Sequence, residues 1–319
     1  MSKILVTGGA GFIGSNLTEA LLRRGHGVRV LDNFSSGKRE NLAFDENDGV
    51  FEIMGGDIRD REACLKALDG AEYVFHLAAL ASVPQSIEDP LTSNAVNVEG
   101  TLNLLVAARE RGLKRFIFAS SCAIYGDAPS LPKAEEMVPV PLSPYALQKY
   151  IGERYCRLFS GLYGLETVAL RYFNVFGPRQ DPGSIYSAVI PRFIHALTEG
   201  YPPTIYGDGE QSRDFVYIED VVSANLLAMS ASGLNGEVIN IGCGKRTSLN
   251  VLLETLRRIT GSAVKAVYKE PRPGDVRHTY ADIGKGKEVL HYLPAVDLES
   301  GLRKTVDYFS EKGSKDGSG

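Results

Sequence analysis

Cysteine is scarce: Cys64, Cys122, Cys156 and Cys243 are the only four in 319 residues, they stand far apart, and no C-x-x-C pair occurs. That spacing suggests neither a zinc site nor a disulfide framework, so the thiols are read as reduced and structural and no metal is expected. Long apolar runs are absent too. No stretch approaches the roughly 18 residues that would span a bilayer. The first residues run directly into a strand pattern, so no signal peptide is expected and the cytoplasm is the expected location. Net charge is −4 with no long basic run, which makes nucleic acid and membrane unexpected partners. No internal repeat is found. What remains is an ordinary globular composition, 44% hydrophobic and 23% charged, at a length suited to a large core in two lobes.

What is there centres on Ser143-Pro144-Tyr145-Ala146-Leu147-Gln148-Lys149. Ser143 is a good N-cap and Pro144 suits the first helical position, so a helix is predicted to begin here. Residues four apart share a helix face, which puts Tyr145 beside Lys149. A free phenol titrates near ~10. A neighbouring ammonium is expected to lower that value and make Tyr145 a general acid/base. Alone, a tyrosine and a lysine on an amphipathic helix say little; their company decides.

Lys3 to Thr7 reads as a buried strand and passes directly into Gly8-Gly9-Ala10-Gly11-Phe12-Ile13-Gly14, then into helical periodicity at Leu17, Leu21 and Leu22. In that context the turn points to dinucleotide binding, with pyrophosphate at the helix start. Gly8 suits the tight turn, Gly11 close ligand approach and Gly14 helix–sheet packing; Phe12 and Ile13 lie between them. A second strand, Val28 to Leu31, ends in Asp32, followed by Asn33. A carboxylate there accepts from ribose hydroxyls and repels a 2′-phosphate, so NAD is expected rather than NADP. After a third strand from Phe51 to Met54, Asp57 and Ile58 are placed to bracket the adenine. The fourth strand carries His76, read as packed and hydrogen-bonded, and ends in Leu77-Ala78-Ala79 beside the cofactor. A long helix from about Pro90 to Arg111 carries Asn97, expected to face the cofactor. The fifth strand, from Arg115 to Ala119, ends in Ser120 and Ser121, which should reach the crevice of Tyr145 because ligands bind at strand carboxyl ends. A sixth, from Thr167 to Arg171, runs into Tyr172, the last cofactor candidate.

Beyond it the alternation weakens, glycine and proline become frequent, and helices are expected near 188–199, 219–230 and 248–259. The predicted fold class is α/β: a Rossmann-type doubly wound parallel sheet in residues 1–171 with a smaller mixed α/β C-terminal substrate domain in 172–311. Segments near 214–217 and 237–241 are expected to rejoin the first sheet, and the polar tail 312–319 to be disordered.

Taken together, Thr7 to Gly14, Asp32, Ser121 and Tyr145/Lys149 resemble an extended short-chain dehydrogenase/reductase. Leu170 to Gly177, Gly207-Asp208-Gly209 with Arg213-Asp214, and Arg272-Pro273-Gly274-Asp275-Val276 narrow the likeness to UDP-hexose 4-epimerases, nearest the UDP-N-acetylglucosamine subgroup. The resemblance runs to about residue 310. It implies that Asn174 and Arg213 hold the diphosphate with help from Arg272, that Asp275 takes the uridine ribose, and that Tyr206 lies against the uracil. It further implies Ser82 and Val189 at the substrate, and a small gate formed by Thr279 and Ala188 that admits a C2 acetamido group. The implied reaction has Tyr145 remove the 4-OH proton with Ser121 on the same oxygen, Lys149 holding the nicotinamide ribose, and Ser120 able to substitute in part for Ser121. The 4-keto sugar rotates and takes hydride back on its other face. A homodimer through the helices near 90–111 and 144–163 is also implied. Related dehydratases and decarboxylases use a further acid two residues before the tyrosine of the fifth-strand motif; Ala123 stands there, beside Cys122. The alternative is a UDP-uronate 4-epimerase, for which no positive partner at the C6 end can be placed, or another NAD-dependent nucleotide-sugar-modifying enzyme, and an NAD-binding regulator is the non-enzyme rival.

Overall fold

The computed structural model describes residues 1–44, 51–181, 188–271 and 276–316. The first part of the chain runs through β1 (Lys3–Thr7), α1 (Phe12–Leu22), β2 (Gly27–Asp32), β3 (Phe51–Gly55), α2 (Arg61–Ala67), β4 (Tyr73–His76), α3 (Val83–Glu88), α4 (Pro90–Asn94), α5 (Thr101–Glu110), β5 (Arg115–Ser121), α6 (Pro144–Tyr163) and β6 (Glu166–Tyr172). Then come β7 (Asn174–Phe176), α7 (Val189–Thr198), β8 (Thr204–Tyr206), β9 (Ser212–Arg213), β10 (Phe215–Tyr217), α8 (Ile218–Ser230) and β11 (Asn235–Ile241). The chain closes with β12 (Thr247–Ser248), α9 (Leu249–Thr260), β13 (Val267–Lys269), α10 (Gly284–Leu290) and α11 (Leu298–Asp316).

Seven strands form one sheet in the order β11-β6-β5-β4-β1-β2-β3, every neighbouring pair parallel. The alternation of side chains along β1 shows why the sheet is covered on both faces. Ile4 and Val6 join the core that holds Leu17 and Leu21 of α1, while Leu5 joins the opposite core with Val74 and Phe116. Burying each such side chain contributes roughly 1.5–3 kcal/mol. Because the chain turns to one side after β1 and to the other at β4, a crevice opens between these strands at their carboxyl ends.

Three expectations need correction. Residues 215–217 do not rejoin the central sheet: β11 occupies the edge beside β6, and β10 pairs with β7 instead. The long helix at 90–111 is divided, with a π-helical stretch at Ala95–Gly100 between α4 and α5. Thr101 Oγ1 donates to the Asn97 carbonyl there at 2.7 Å, a side-chain bond that suits a widened turn. Finally, α11 continues to Asp316, into the segment expected to be disordered, since extending a packed helix costs far less than starting one.

Candidate active site

Helix α6 begins as its sequence requires, with the Ser143 hydroxyl accepting from the Ala146 N–H at 3.2 Å. Its buried face carries Tyr145 and Lys149. Both line one cleft of about 290 Å³ at the strand ends, together with Gly8, Gly11, Phe12, Ile13, Gly14, Asp32, Asn33, Asp57, Ile58, Leu77, Ala78, Ala79 and Tyr172. A Cβ at Gly14 would meet the Gly8 carbonyl oxygen at 2.2 Å, so only glycine lets α1 start this close to the turn. Helix α1 has no side-chain cap and no acidic residue in its first turn, which leaves its first amides for an anion.

Asp32 is held from behind: its carboxylate accepts from Ala10 N at 2.9 Å and Phe34 N at 2.8 Å, one per oxygen. Each oxygen keeps acceptor capacity for the cleft. Asp57 accepts from Arg59 Nη2 at 2.7 Å and Asn33 Nδ2 at 2.8 Å. The Arg59 hydrogen bond, against some opposing burial, pulls the Asp57 carboxyl down to about 2. The glycine cradle, the uncapped helix start and the oriented Asp32 fit a dinucleotide.

Asn97 does not face the cleft. Its side chain brackets Leu80, taking the N–H at 2.8 Å and giving to the C=O at 3.0 Å, and it also donates to Gln148. Val96 lines the cleft instead. Leu80, Ala81, Ala119, Ser120 and the Ser35-Ser36-Gly37 loop also line it; small residues just past Asp32 were the readable signal for the last of these. His76 bonds Thr7 and Thr101 at 2.8 and 2.9 Å, and burial pushes its imidazole down to about 3, so it is neutral.

Tyr145 and Lys149 stand together, but not with the expected electrostatics. Lys149 Nζ lies 5.9 Å from the Tyr145 ring centre and donates to the Ala119 carbonyl at 2.8 Å. Burial pushes the Tyr145 phenol up to about 12, opposed by a hydrogen bond with Ser121. Burial likewise brings the Lys149 ammonium down to about 8. In the protein alone, desolvation dominates at Tyr145, and its phenol is raised rather than lowered. Ser120 cannot stand in for Ser121, because its hydroxyl donates to Glu153 Oε1 at 2.6 Å.

Of the expected substrate residues, Ser82, Ser121, Asn174, Ala188, Val189, Arg213 and Thr279 lie outside this cleft's lining. Ser82 caps α3, accepting from Gln85 N at 3.2 Å. Ala188 is exposed and Val189 half-buried at the start of α7. Thr279 is buried, its N–H bonded to the Ser212 carbonyl at 3.1 Å. Asn174 Oδ1 is buried with no hydrogen-bond partner among the described residues. Asp214, next in sequence to Arg213, turns away from it to accept from Cys243 N at 2.8 Å and from Gly244 N and Ala281 N at 3.0 Å. Arg213 Nη1 donates to the Ser212 carbonyl at 3.0 Å. Tyr206 lines a second cleft with Gln211, Tyr268 and Arg277. Arg272 and Asp275 lie outside the described residues. Among the described residues no cluster of three or more His, Cys, Asp or Glu could hold a metal, and no helix is long and apolar enough to cross a membrane.

The strand order and this cleft define a Rossmann-type dinucleotide enzyme. Residues 4–242 match the NAD dependent epimerase/dehydratase family. A UDP-glucose 4-epimerase of Mycolicibacterium smegmatis is 41% identical over 312 residues, covering 97% of this chain and 99% of that one. The solved UDP-glucose 4-epimerase of Thermotoga maritima, with UDP-glucose, is 46% identical with a TM-score of 0.92, covering 97% of this chain and 99% of that one. The UDP-N-acetylglucosamine 4-epimerase of Methanobrevibacter ruminantium, in complex with UDP-N-acetylmuramic acid, is 44% identical with a TM-score of 0.93, covering 98% and 99%. The chain belongs to the NAD dependent epimerase/dehydratase family of extended short-chain dehydrogenases/reductases, and its cofactor is NAD.

Proposed function

We propose that the chain catalyses 4-epimerisation of a UDP-hexose, with Tyr145 as acid/base, Ser121 on the same substrate oxygen and Lys149 holding the pair in place. The observation that carries this is that Tyr145 and Lys149 line the glycine–Asp32 cleft at the strand ends, with Ser121 hydrogen-bonded to Tyr145. Gly8, Gly11 and Gly14 would take the pyrophosphate, Asp32 the adenosine ribose, and Asp57 with Ile58 the adenine. When bound, NAD supplies the hydride acceptor and a cationic ring. Tyr145 takes the 4-OH proton as the C4 hydride leaves, and Ser121 steadies the oxygen through both half-reactions. Tyr145 would give that proton back to the C4 oxygen when the 4-keto sugar is reduced on its other face, which completes inversion with no net oxidation.

The division at residue 171 into a cofactor part and a nucleotide-sugar part, with Asn174, Tyr206, Arg213, Arg272 and Asp275 around the UDP, belongs to the same proposal. So does a homodimer, supported by the exposed Leu158 and Leu162 on α6 and Leu91 on α4. N-acetylated hexoses are proposed as substrates alongside plain ones, because Thr279 and Ala188 are small. The test is incubation with UDP-glucose, UDP-N-acetylglucosamine and UDP-glucuronate, with product sugars resolved by NMR. Inversion at C4 of the first two is expected; turnover of the uronate alone would replace this proposal.

A further inference from the structure

A buried network stands directly behind Tyr145 and Lys149, and the reaction outlined above does not use it. Tyr145, Lys149 and Glu153 follow one another at four-residue steps on the buried face of α6. The Glu153 carboxylate accepts three hydrogen bonds: one from Ser120 Oγ at 2.6 Å, and a bidentate pair from Arg171 Nε and Nη2, both at 2.8 Å. Ser120 and Arg171 are register partners on β5 and β6, so one carboxylate ties the helix to both strands. One residue earlier on β5, the Ala119 carbonyl receives Lys149 Nζ. Helix α6 is therefore stitched to the end of β5 at two successive residues, through two successive turns of the acid/base face.

A buried ion pair is a weak source of stability, because desolvation offsets most of its Coulomb attraction. Its strength is geometric: a guanidinium fork meets a carboxylate in one orientation. That orientation also decides what Ser120 can do. With its hydrogen given to Glu153, it can serve the cleft it lines only as an acceptor. We propose that Ser120 and Glu153 are positioning residues for the proton-transfer pair. The Ser120–Glu153–Arg171 clamp fixes where the Ala119 carbonyl holds the Lys149 ammonium, and thereby where the Tyr145 hydroxyl stands. This rests on Tyr145 and Lys149 acting as proposed above.

Ser120→Ala deletes a single hydroxyl and leaves Glu153 both arginine bonds, so it loosens the clamp without breaking the ion pair. With UDP-glucose and UDP-N-acetylglucosamine, kcat is expected to fall about tenfold, the scale of a sub-ångström misplacement, with KM and bound NAD within about twofold of wild type. Ser120→Thr keeps the hydroxyl and should recover most of the rate. Glu153→Asp keeps the charge but withdraws the carboxylate by one methylene, and should show the same kcat-selective loss. Wild-type kcat in Ser120→Ala, or a loss accompanied in step by raised KM or lost NAD, overturns the proposal. Tyr145→Phe measured beside it separates the two claims: full activity there sinks the acid/base assignment, whereas inactivity there with a normal Ser120→Ala sinks only the clamp.

Discussion

Replacing Lys149 by methionine separates the cost of burying an ammonium from its use in the site. Burial moves Lys149 from 10.5 to about 8, which at ~1.4 kcal/mol per unit disfavours the charged form by ~3 kcal/mol. Below about pH 8 the side chain is protonated both folded and unfolded, and the wild type carries this cost in full. Between the folded and unfolded values the unfolded chain binds more protons, so wild-type stability rises with pH until the cost is gone. Methionine carries no such cost and fills similar volume, but it strands the Ala119 carbonyl that Nζ now satisfies, a penalty of ~1–3 kcal/mol. The variant's absolute stability at neutral pH is therefore close to that of the wild type or above it. The decisive quantity is the difference between the two proteins as pH changes, because groups that Lys149 does not influence cancel in it, and His76 and Cys156, which it does influence, stay neutral in the folded chain from pH 7 to pH 10. Urea unfolding at pH 7 and pH 10 should show the variant losing ~2–3 kcal/mol relative to wild type. A difference that stays constant across that interval would mean that no buried ammonium sits at Lys149.

Thr279→Tyr should cut kcat/KM for N-acetylated substrates about ten- to a hundredfold relative to plain hexoses, since overfilling a packed site costs ~1–3 kcal/mol. Equal losses for both classes would remove Thr279 as the gate. The protein should be purified with NAD already bound and need none added, checked by acid release and assay of the nucleotide; net NADH accumulation in turnover would mark a dehydrogenase instead. Leu158→Lys with Leu162→Lys should convert a dimer to a monomer by light scattering, and an unchanged mass would place the interface elsewhere.

What was legible in the sequence was what local rules decide. The glycine turn, Asp32 at the end of β2 and the stacking of Tyr145 over Lys149 depend on spacing within one element or turn, and the cleft brings them together. The misreadings came where a neighbour distant in sequence decides the outcome. Val96 rather than Asn97 lines the cleft, because the Asn97 side chain is held by the Leu80 backbone and Gln148, neighbours that the sequence does not show. The direction of the Tyr145 shift was missed because proximity of charge is local whereas burial is tertiary. Glu153 carries no motif signal of its own; its role exists only once β5 and β6 lie side by side.

The central claim is that Tyr145 transfers the proton in a 4-epimerisation. Tyr145→Phe removes one hydroxyl and little packing, so the variant should fold and keep its NAD. Its conversion of UDP-glucose and UDP-N-acetylglucosamine, followed by NMR of the product sugars, should fall by at least ~10²–10⁴-fold, the scale of a lost general acid/base. Ser121→Ala, assayed in the same way, should lose less. Epimerisation by Tyr145→Phe at close to the wild-type rate would contradict the account.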